Sequence, residues 1–517
     1  MTAVAVPPAG EPVVVSHRRA PGAGWLVGAG AAVVVLALAL RVWGLVTANE
    51  LFIDEVTYSR LALSVSRGEW PNLAGQPFHL HPPLTFLING AVIDVFGLSA
   101  DPTSLVFQLR WVNAVLGAVG VGLAYALLLR VTRPWIAVVG AVVLAADPFV
   151  LRNDSRVMLE TPAFVFVLAG LLCVLSRRRW VAVLGGVLLG LAVVAKDVAV
   201  VPALLPLVLA VVWRKTMPVR QGLAVVAAGL VPYAAYLVAL GVTGRLPGWW
   251  AAKVGGVRRM AGLDQITGFN SAQAPSLLDA LISQLTRFGT SYVLLGLAVP
   301  AGLWALRSTR ADRRLVGLVA SVMGLLGLFA LAFGTLEEQM GYFVVVPGVL
   351  AVGIAFTEPP RWTLRARPVF TVAAALVVLA GLASAIHARS VRDNAYQQAR
   401  AYLDTQVPPG SRVGLTSPTA QFALHSGEGN DLHVGTWVSL GALRQHRADY
   451  VLTQSRPLSQ GYGYASPDLL PWLAKHAQPV FTFSGPTGGD TVVWKLSQAE
   501  LDAAVSRGQL IPEVVTP

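Results

Sequence analysis

A single cysteine, Cys173, occurs in the chain, so an internal disulfide is impossible whichever compartment the loops face. Charge is nearly as scarce. Asp, Glu, Lys and Arg amount to 13% of the 517 residues, roughly half of what soluble globular proteins carry. With 55% hydrophobic residues and a mean hydropathy of +0.62, that scarcity excludes an ordinary water-soluble fold. Nucleotide signatures are missing too. There is no Walker A run, no G-x-G-x-x-G after a strand and no H-E-x-x-H zinc helix. The net charge of +12 would suggest nucleic acid in a soluble chain. Here the excess sits in short loops between apolar runs, where membrane topology accounts for it, and no nucleic-acid partner is expected.

What the chain does have is apolar runs long enough to cross ~30 Å of hydrocarbon. Eleven candidates lie at about 24–47, 111–129, 135–151, 161–176, 180–195, 198–213, 221–241, 288–306, 315–333, 341–357 and 369–387. The first follows Arg18-Arg19 but is too long for the core of a cleaved signal peptide, so it reads as a retained helix. Basic clusters fall between alternate pairs: Arg130/Arg133, Arg177-Arg178-Arg179, Arg214-Lys215 with Arg220, Arg307/Arg310/Arg313/Arg314, and Arg361/Arg365/Arg367. All land on one side, cytoplasmic by the positive-inside rule. The segment Leu84–Leu98 is apolar but spans only roughly 22 Å as a helix. A crossing there would put five basic clusters outside, so it is expected to be a re-entrant or interfacial helix.

The fold class expected is therefore an α-helical polytopic membrane protein of about eleven spans plus that helix, N-terminus cytoplasmic and C-terminus external. Residues 1–23 form a cytoplasmic tail and 24–389 the transmembrane domain, with a long external loop at 48–110. Beyond 390 the sequence becomes polar, with breaks at Pro408-Pro409-Gly410 and Ser484–Gly489. Helices near 392–406 and 467–476, and strands near 411–416, 449–454, 479–484 and 490–496, predict a small extracytoplasmic α/β domain over 390–517.

The residues able to carry chemistry gather on the external side. Asp54-Glu55 follows the first span and opens a helix predicted to run to about Arg67, with Tyr58 on the face of Asp54. Helix capping alone would also favour acids there. Glu160 stands at the mouth of a span behind Arg156-Val-Met-Leu, with Pro162 suited to a first helical turn. Its expected partners are Arg156 or a divalent metal ion shared with Asp54. Two such acids can position a cation or activate a hydroxyl. His79 and His81 flank Leu80, and Pro82-Pro83 holds His81 in an extended segment. Arg110 and Lys196 end spans on this side, where each can pair with an acid, bind phosphate or simply reach the interface. Trp249-Trp250 with Lys253 and Arg258-Arg259 suit an amphipathic helix against membrane lipid.

Asp54-Glu55, His81-Pro82-Pro83-Leu84, Arg110 and Arg156-Val-Met-Leu-Glu160 together resemble the GT-C glycosyltransferases, in particular the protein O-mannosyltransferase and aminoarabinose-transferase branch. The resemblance covers about residues 25–200. It implies inverting sugar transfer from a polyprenyl-phosphate donor to an acceptor lipid, cell-envelope glycan or protein. Asp54 would then be general base or metal ligand, Glu160 the second-loop acid, Glu55 a further catalytic residue, and Lys196 or Arg110 the donor-phosphate contact. Tyr58, His81 and Arg156 would line the substrate site. Three departures stand out. The second-loop acid is Glu rather than Asp, Thr85-Phe86 replaces the lysine expected after His-Pro-Pro-Leu, and Gly341-Tyr342 has lost an arginine. The second departure points toward relatives that modify lipids or glycans. A transporter and an inactive scaffold are the competing readings. Charges at one face and the lack of a duplicated half speak against the first, and the retained acids against the second.

Overall fold

The computed structural model describes residues 23–45, 51–73, 75–100, 102–261, 277–332, 338–358, 367–417, 431–459, 465–486 and 488–509, with a few isolated positions between them. Arg18-Arg19, Glu337, Arg361 and Arg365 lie outside the described residues.

Helices fall on all eleven apolar runs. They are α1 (Ala23–Val42), α4 (Pro102–Val131), α5 (Pro134–Ala146), α7 (Glu160–Val174), α8 (Arg179–Ala195), α10 (Leu205–Trp213) after the short α9 (Val200–Ala203), α11 (Val219–Val242), α13 (Leu277–Ala305), α14 (Ala311–Ala332), α15 (Glu338–Thr357) and α16 (Arg367–Ser390). Among the described residues five of these are individually long and apolar enough to cross a bilayer, and a sixth span results if α5 is joined to α6 (Pro148–Asp154) across a 61° bend. The bend has a local cause. Pro134 and Pro148 each open a helix, and the Asp147 carboxylate between them accepts the N–H groups of Phe149 (3.1 Å) and Val150 (2.9 Å). Exposed Val35, Val115, Val139, Val212, Leu230 and Val238 give the bundle the apolar outer surface that lipid requires.

The long segment between α1 and α4 folds into α2 (Ile53–Ser66), a short hairpin of β1 (Asn72–Leu73) and β2 (Gln76–Pro77), and α3 (Leu84–Phe96). Gly97 closes α3 in the left-handed conformation at φ 58°. Further on, α12 (Leu246–Met260) follows α11 and buries none of its residues fully. It matches the amphipathic helix predicted at Trp249-Trp250.

After α16 comes α17 (Ala395–Gln406), then β3 (Arg412–Leu415), β4 (His433–Gly435), β5 (Tyr450–Gln454), β6 (Gln478–Gly485) and β7 (Gly489–Lys495). The order is β4-β3-β5-β7-β6, with β4, β3 and β5 parallel and the last two pairings antiparallel. All five residues of β5 are buried, as a central strand demands. The brief β4 carried no sequence signal. Leu51, Val56 and Val106 share one apolar cluster with Tyr396, Leu403, Val413 and Leu415, so the sheet rests on the starts of α2 and α4.

Within the bundle α8 and α11 touch backbone to backbone. A Cβ on Gly186 would lie 2.3 Å from the Val225 carbonyl oxygen, and one on Gly190 2.2 Å from that of Gly229. This small-xxx-small spacing lets helices pack where lipid offers no hydrophobic drive. Gly190→Val should therefore destabilise by about 1–3 kcal/mol through overpacking. Thermal unfolding in detergent checks this, with Gly255→Ala, whose Cβ would meet nothing within 4 Å, as the unaffected control.

Candidate active site

The start of α2 is held by charge. Glu55 and Arg110 are wholly buried and doubly bonded to each other, Nε to Oε2 at 2.9 Å and Nη2 to Oε1 at 2.6 Å. Glu55 also accepts the Phe52 N–H at 2.9 Å, while Arg110 donates to the Leu45 carbonyl at 3.0 Å. The two residues expected at acid and phosphate positions are thus spent on each other, fixing α2 against α4. Asp54, one residue earlier, is only half-buried and lies in the first turn, where the helix dipole favours an anion. Tyr58, four residues on, packs edge-on against His81 with ring centroids 5.9 Å apart. The face that carries Asp54 therefore leads to the His81 loop.

Glu160 opens α7 fully buried, and its Oε1 is paired with the Lys196 ammonium at the end of α8. Sequence reading expected Arg156 or a metal ion as its partner; the partner is Lys196. Arg156 instead lies over the Phe52 ring at 4.9 Å, and its carbonyl, like that of Met158, is bonded by Asn113. The other Glu160 oxygen, Oε2, has no hydrogen-bond partner among the described residues. Next to Lys196, Asp197 accepts from Lys253 of α12 at 2.7 Å and from Tyr233 of α11 at 3.0 Å. Lys253 also donates to the Leu80 carbonyl at 2.8 Å, and His81 Nδ1 stands 4.0 Å from Asp197. The loop ahead of α3, the end of α8 and the surface helix α12 converge here.

Burial, then the charges of Lys196, Lys253 and Arg259, hold the His81 pKa well below its usual 6.5. Burial and the cations Arg245 and Lys253 lower that of His79. Burial also lowers the Lys253 pKa from its ordinary value, against the pull of Asp197.

A second buried centre had not been singled out from sequence. Arg41 of α1 donates twice to Asp154 Oδ2, at 2.9 and 2.6 Å, and Asp154 Oδ1 accepts Thr161 at 2.8 Å and Tyr342 at 2.9 Å. Arg389, near the end of α16, bonds the carbonyls of Arg41 (2.8 Å) and Trp43 (2.6 Å). An acid so near apolar runs was the available signal for Asp154; nothing marked Arg41 as its partner.

A divalent ion shared by Asp54 and Glu160 fits these residues poorly. One Glu160 oxygen is already matched by an ammonium, and no three His, Cys, Asp or Glu side chains converge among the described residues.

Residues 97–257 match the family model described as dolichyl-phosphate-mannose-protein mannosyltransferase. Among solved structures, the fold is similar to that of ArnT from Cupriavidus metallidurans bound to undecaprenyl phosphate. That match has 16% identity and a TM-score of 0.56, covering 92% of this chain and 99% of that one. It is also similar to the Archaeoglobus fulgidus oligosaccharyltransferase solved with zinc and sulfate. There the identity is 13% and the TM-score 0.52, covering 91% of this chain and 73% of that one. Comparison with curated proteins returned no match. The fold is thus one shared with these two membrane transferases, and over residues 97–257 the chain is similar to the mannosyltransferase family.

Two outcomes follow from this geometry. Removing one member of a buried ion pair costs about 3–5 kcal/mol, so Arg110→Met should lower the unfolding midpoint sharply, and adding Glu55→Leu should recover part of the loss. The second concerns pH. Because folding depresses the His81 pKa, its contribution is complete above about 6.5 and lost as pH falls from there toward the depressed value. His81→Gln should flatten the decline of thermal stability below pH 6.5 and leave the profile above it unchanged.

Proposed function

We propose that the chain transfers a glycosyl residue from a polyprenyl-phosphate donor to a lipid, envelope-glycan or protein acceptor at the external membrane face, with inversion. The observation that carries this reading is the buried Glu160–Lys196 pair, set at the facing ends of α7 and α8 with His81, Asp197 and Lys253 around it. All but His81 fall inside the segment that matches the mannosyltransferase family model. Binding of undecaprenyl phosphate by the Cupriavidus neighbour supports a lipid-phosphate donor, and the family match counts against a transporter.

In this reading Asp54 is the general base. It takes the proton from the acceptor hydroxyl as that oxygen attacks the anomeric carbon and the bond to the carrier phosphate breaks. Lys196, steadied by Glu160, neutralises the charge left on the phosphate. Tyr58 and His81 border the sugar, with His81 neutral. Glu55, Arg110 and Arg156 set the backbone that presents Asp54. The orientation that suits this chemistry has the N-terminus cytoplasmic and the sheet domain, over 390–517, external.

Turnover of polyprenyl-phosphate sugars by the purified protein in lipid nanodiscs tests the assignment. Asp54→Asn should lower kcat by about 10²–10⁴-fold, the usual contribution of a general base, with an unchanged unfolding midpoint. Full turnover in that variant would remove Asp54 from the mechanism.

A further inference from the structure

We propose that the end of the bundle opposite the candidate site holds an anionic-phospholipid site, formed where the α10–α11 loop meets the α13–α14 loop and built from Arg214, Lys215, Arg307 and Arg314. The proposal goes beyond the transferase reading and uses only the membrane setting.

Helix direction places this site. The facing ends of α7 and α8 carry Glu160 and Lys196, and the chain then runs away from Lys196 through α9 and α10 to Trp213. The loops at the far end, residues 130–133, 177–179, 214–220 and 307–314, hold twelve basic residues and one acid, Asp312. Arg310 takes Asp312 at 2.5 Å, and Arg313 takes the nearby Glu358. The remaining cations repel one another, and anions from outside the chain relieve that repulsion.

Two loops gather part of the surplus into one place. The Arg314 guanidinium donates to the carbonyls of Ser308 (2.9 Å) and Thr309 (3.1 Å) in its own loop, and to that of Lys215 in the other. The loops are therefore in direct contact, with Arg214, Lys215 and Arg307 exposed at its border. None of these four cations pairs with a carboxylate among the described residues. The backbone marks the same spot. Arg214 closes α10 at φ 58°, a left-handed conformation in which glycine is at ease and arginine is strained.

The depth suits a lipid headgroup. Trp213 and Trp304 stand just inside the cations. The Lys215 ammonium is 5.6 Å from the first ring and the Arg307 guanidinium 5.3 Å from the second. Tryptophan beside lysine and arginine is the composition of a membrane interface, and basic pockets between helix ends take the headgroups of lipids such as cardiolipin. Val212 and Leu303, exposed on the same two helices, offer apolar surface to the acyl chains. A phospholipid answers both features, whereas free phosphate answers only the charge.

The test titrates the full-length protein in detergent with cardiolipin, phosphatidylglycerol, phosphatidylcholine or inorganic phosphate. It follows the unfolding midpoint and, by native mass spectrometry, retained lipid. The two anionic lipids should raise the midpoint saturably and stay bound; phosphatidylcholine and phosphate should do neither. Combining Arg214→Gln, Lys215→Gln and Arg307→Gln should weaken cardiolipin binding at least about tenfold. Combining Arg177→Gln, Arg178→Gln and Arg179→Gln removes the same charge from the same end and should cost less than about threefold, because salt screens distant charges. Arg214→Gly should raise the lipid-free midpoint by relieving the backbone, yet weaken binding about fivefold. Equal losses in the two triple variants would make the attraction diffuse and overturn the proposal. Wild-type affinity in the first triple variant or in Arg214→Gly would also overturn it, as would an equal response to phosphatidylcholine or to inorganic phosphate.

Discussion

A carboxylate taken out of water costs several kcal/mol unless a cation or a set of N–H donors goes with it, and at a membrane boundary no solvent is at hand to share the cost. The transmembrane part of this chain is arranged around that constraint. Glu55 takes Arg110 and joins α2 to α4. Asp154 takes Arg41, joining α6 to α1 and drawing in Thr161 of α7 and Tyr342 of α15. Glu160 takes Lys196 and joins α7 to α8. Asp147 is answered by two backbone N–H groups and the Ser291 hydroxyl at 2.8 Å. Charge compensation and helix packing are thus one requirement, and the long segment between α1 and α4 is fixed at its start by the Glu55–Arg110 pair.

The junction with the sheet domain follows the same logic. The last carbonyls of α1 have no partners within their own helix, and Arg389 supplies donors to that of Arg41 and to that of Trp43 just beyond the helix. Four residues later Asp393 accepts the Gly488 N–H at 3.1 Å. One short stretch therefore clamps the first span and the edge of the sheet. The apolar contact of Leu51 and Val56 with Val413 and Leu415 closes the joint next to Asp54.

Features with a period or a position were legible in the sequence. Apolar runs gave the helices, alternation and Pro/Gly punctuation gave four of the five strands of the sheet, and the site after the first span marked Asp54-Glu55. Partners were not legible, because pairing is a property of three-dimensional packing. Arg41 and Asp154 are 113 positions apart, Glu55 and Arg110 are 55, and Arg389 and Trp43 are 346. No local pattern encodes such distances. Glu55 illustrates the limit, since its neighbour Asp54 has the same sequence context but a half-exposed environment. Lys253 is the reverse case: its basic, tryptophan-rich helix was evident, whereas its contact with Asp197 depends on how α12 folds back over the end of α8.

The two kinds of cation divide the work on physical grounds. Arginine keeps its charge and offers a rigid fork, so Arg41 and Arg110 each make two bonds to one carboxylate and leave little to exchange. These are joints. Lysine is a point charge on a flexible stem, and its pKa yields to burial. Lys196 meets one Glu160 oxygen while the other lacks a partner among the described residues, and Lys253 divides its donors between Asp197 and a carbonyl. Such pairs can open to share an incoming anion at small cost. The lysine pairs are accordingly the ones we propose for chemistry, while the arginine pairs join the helices around them.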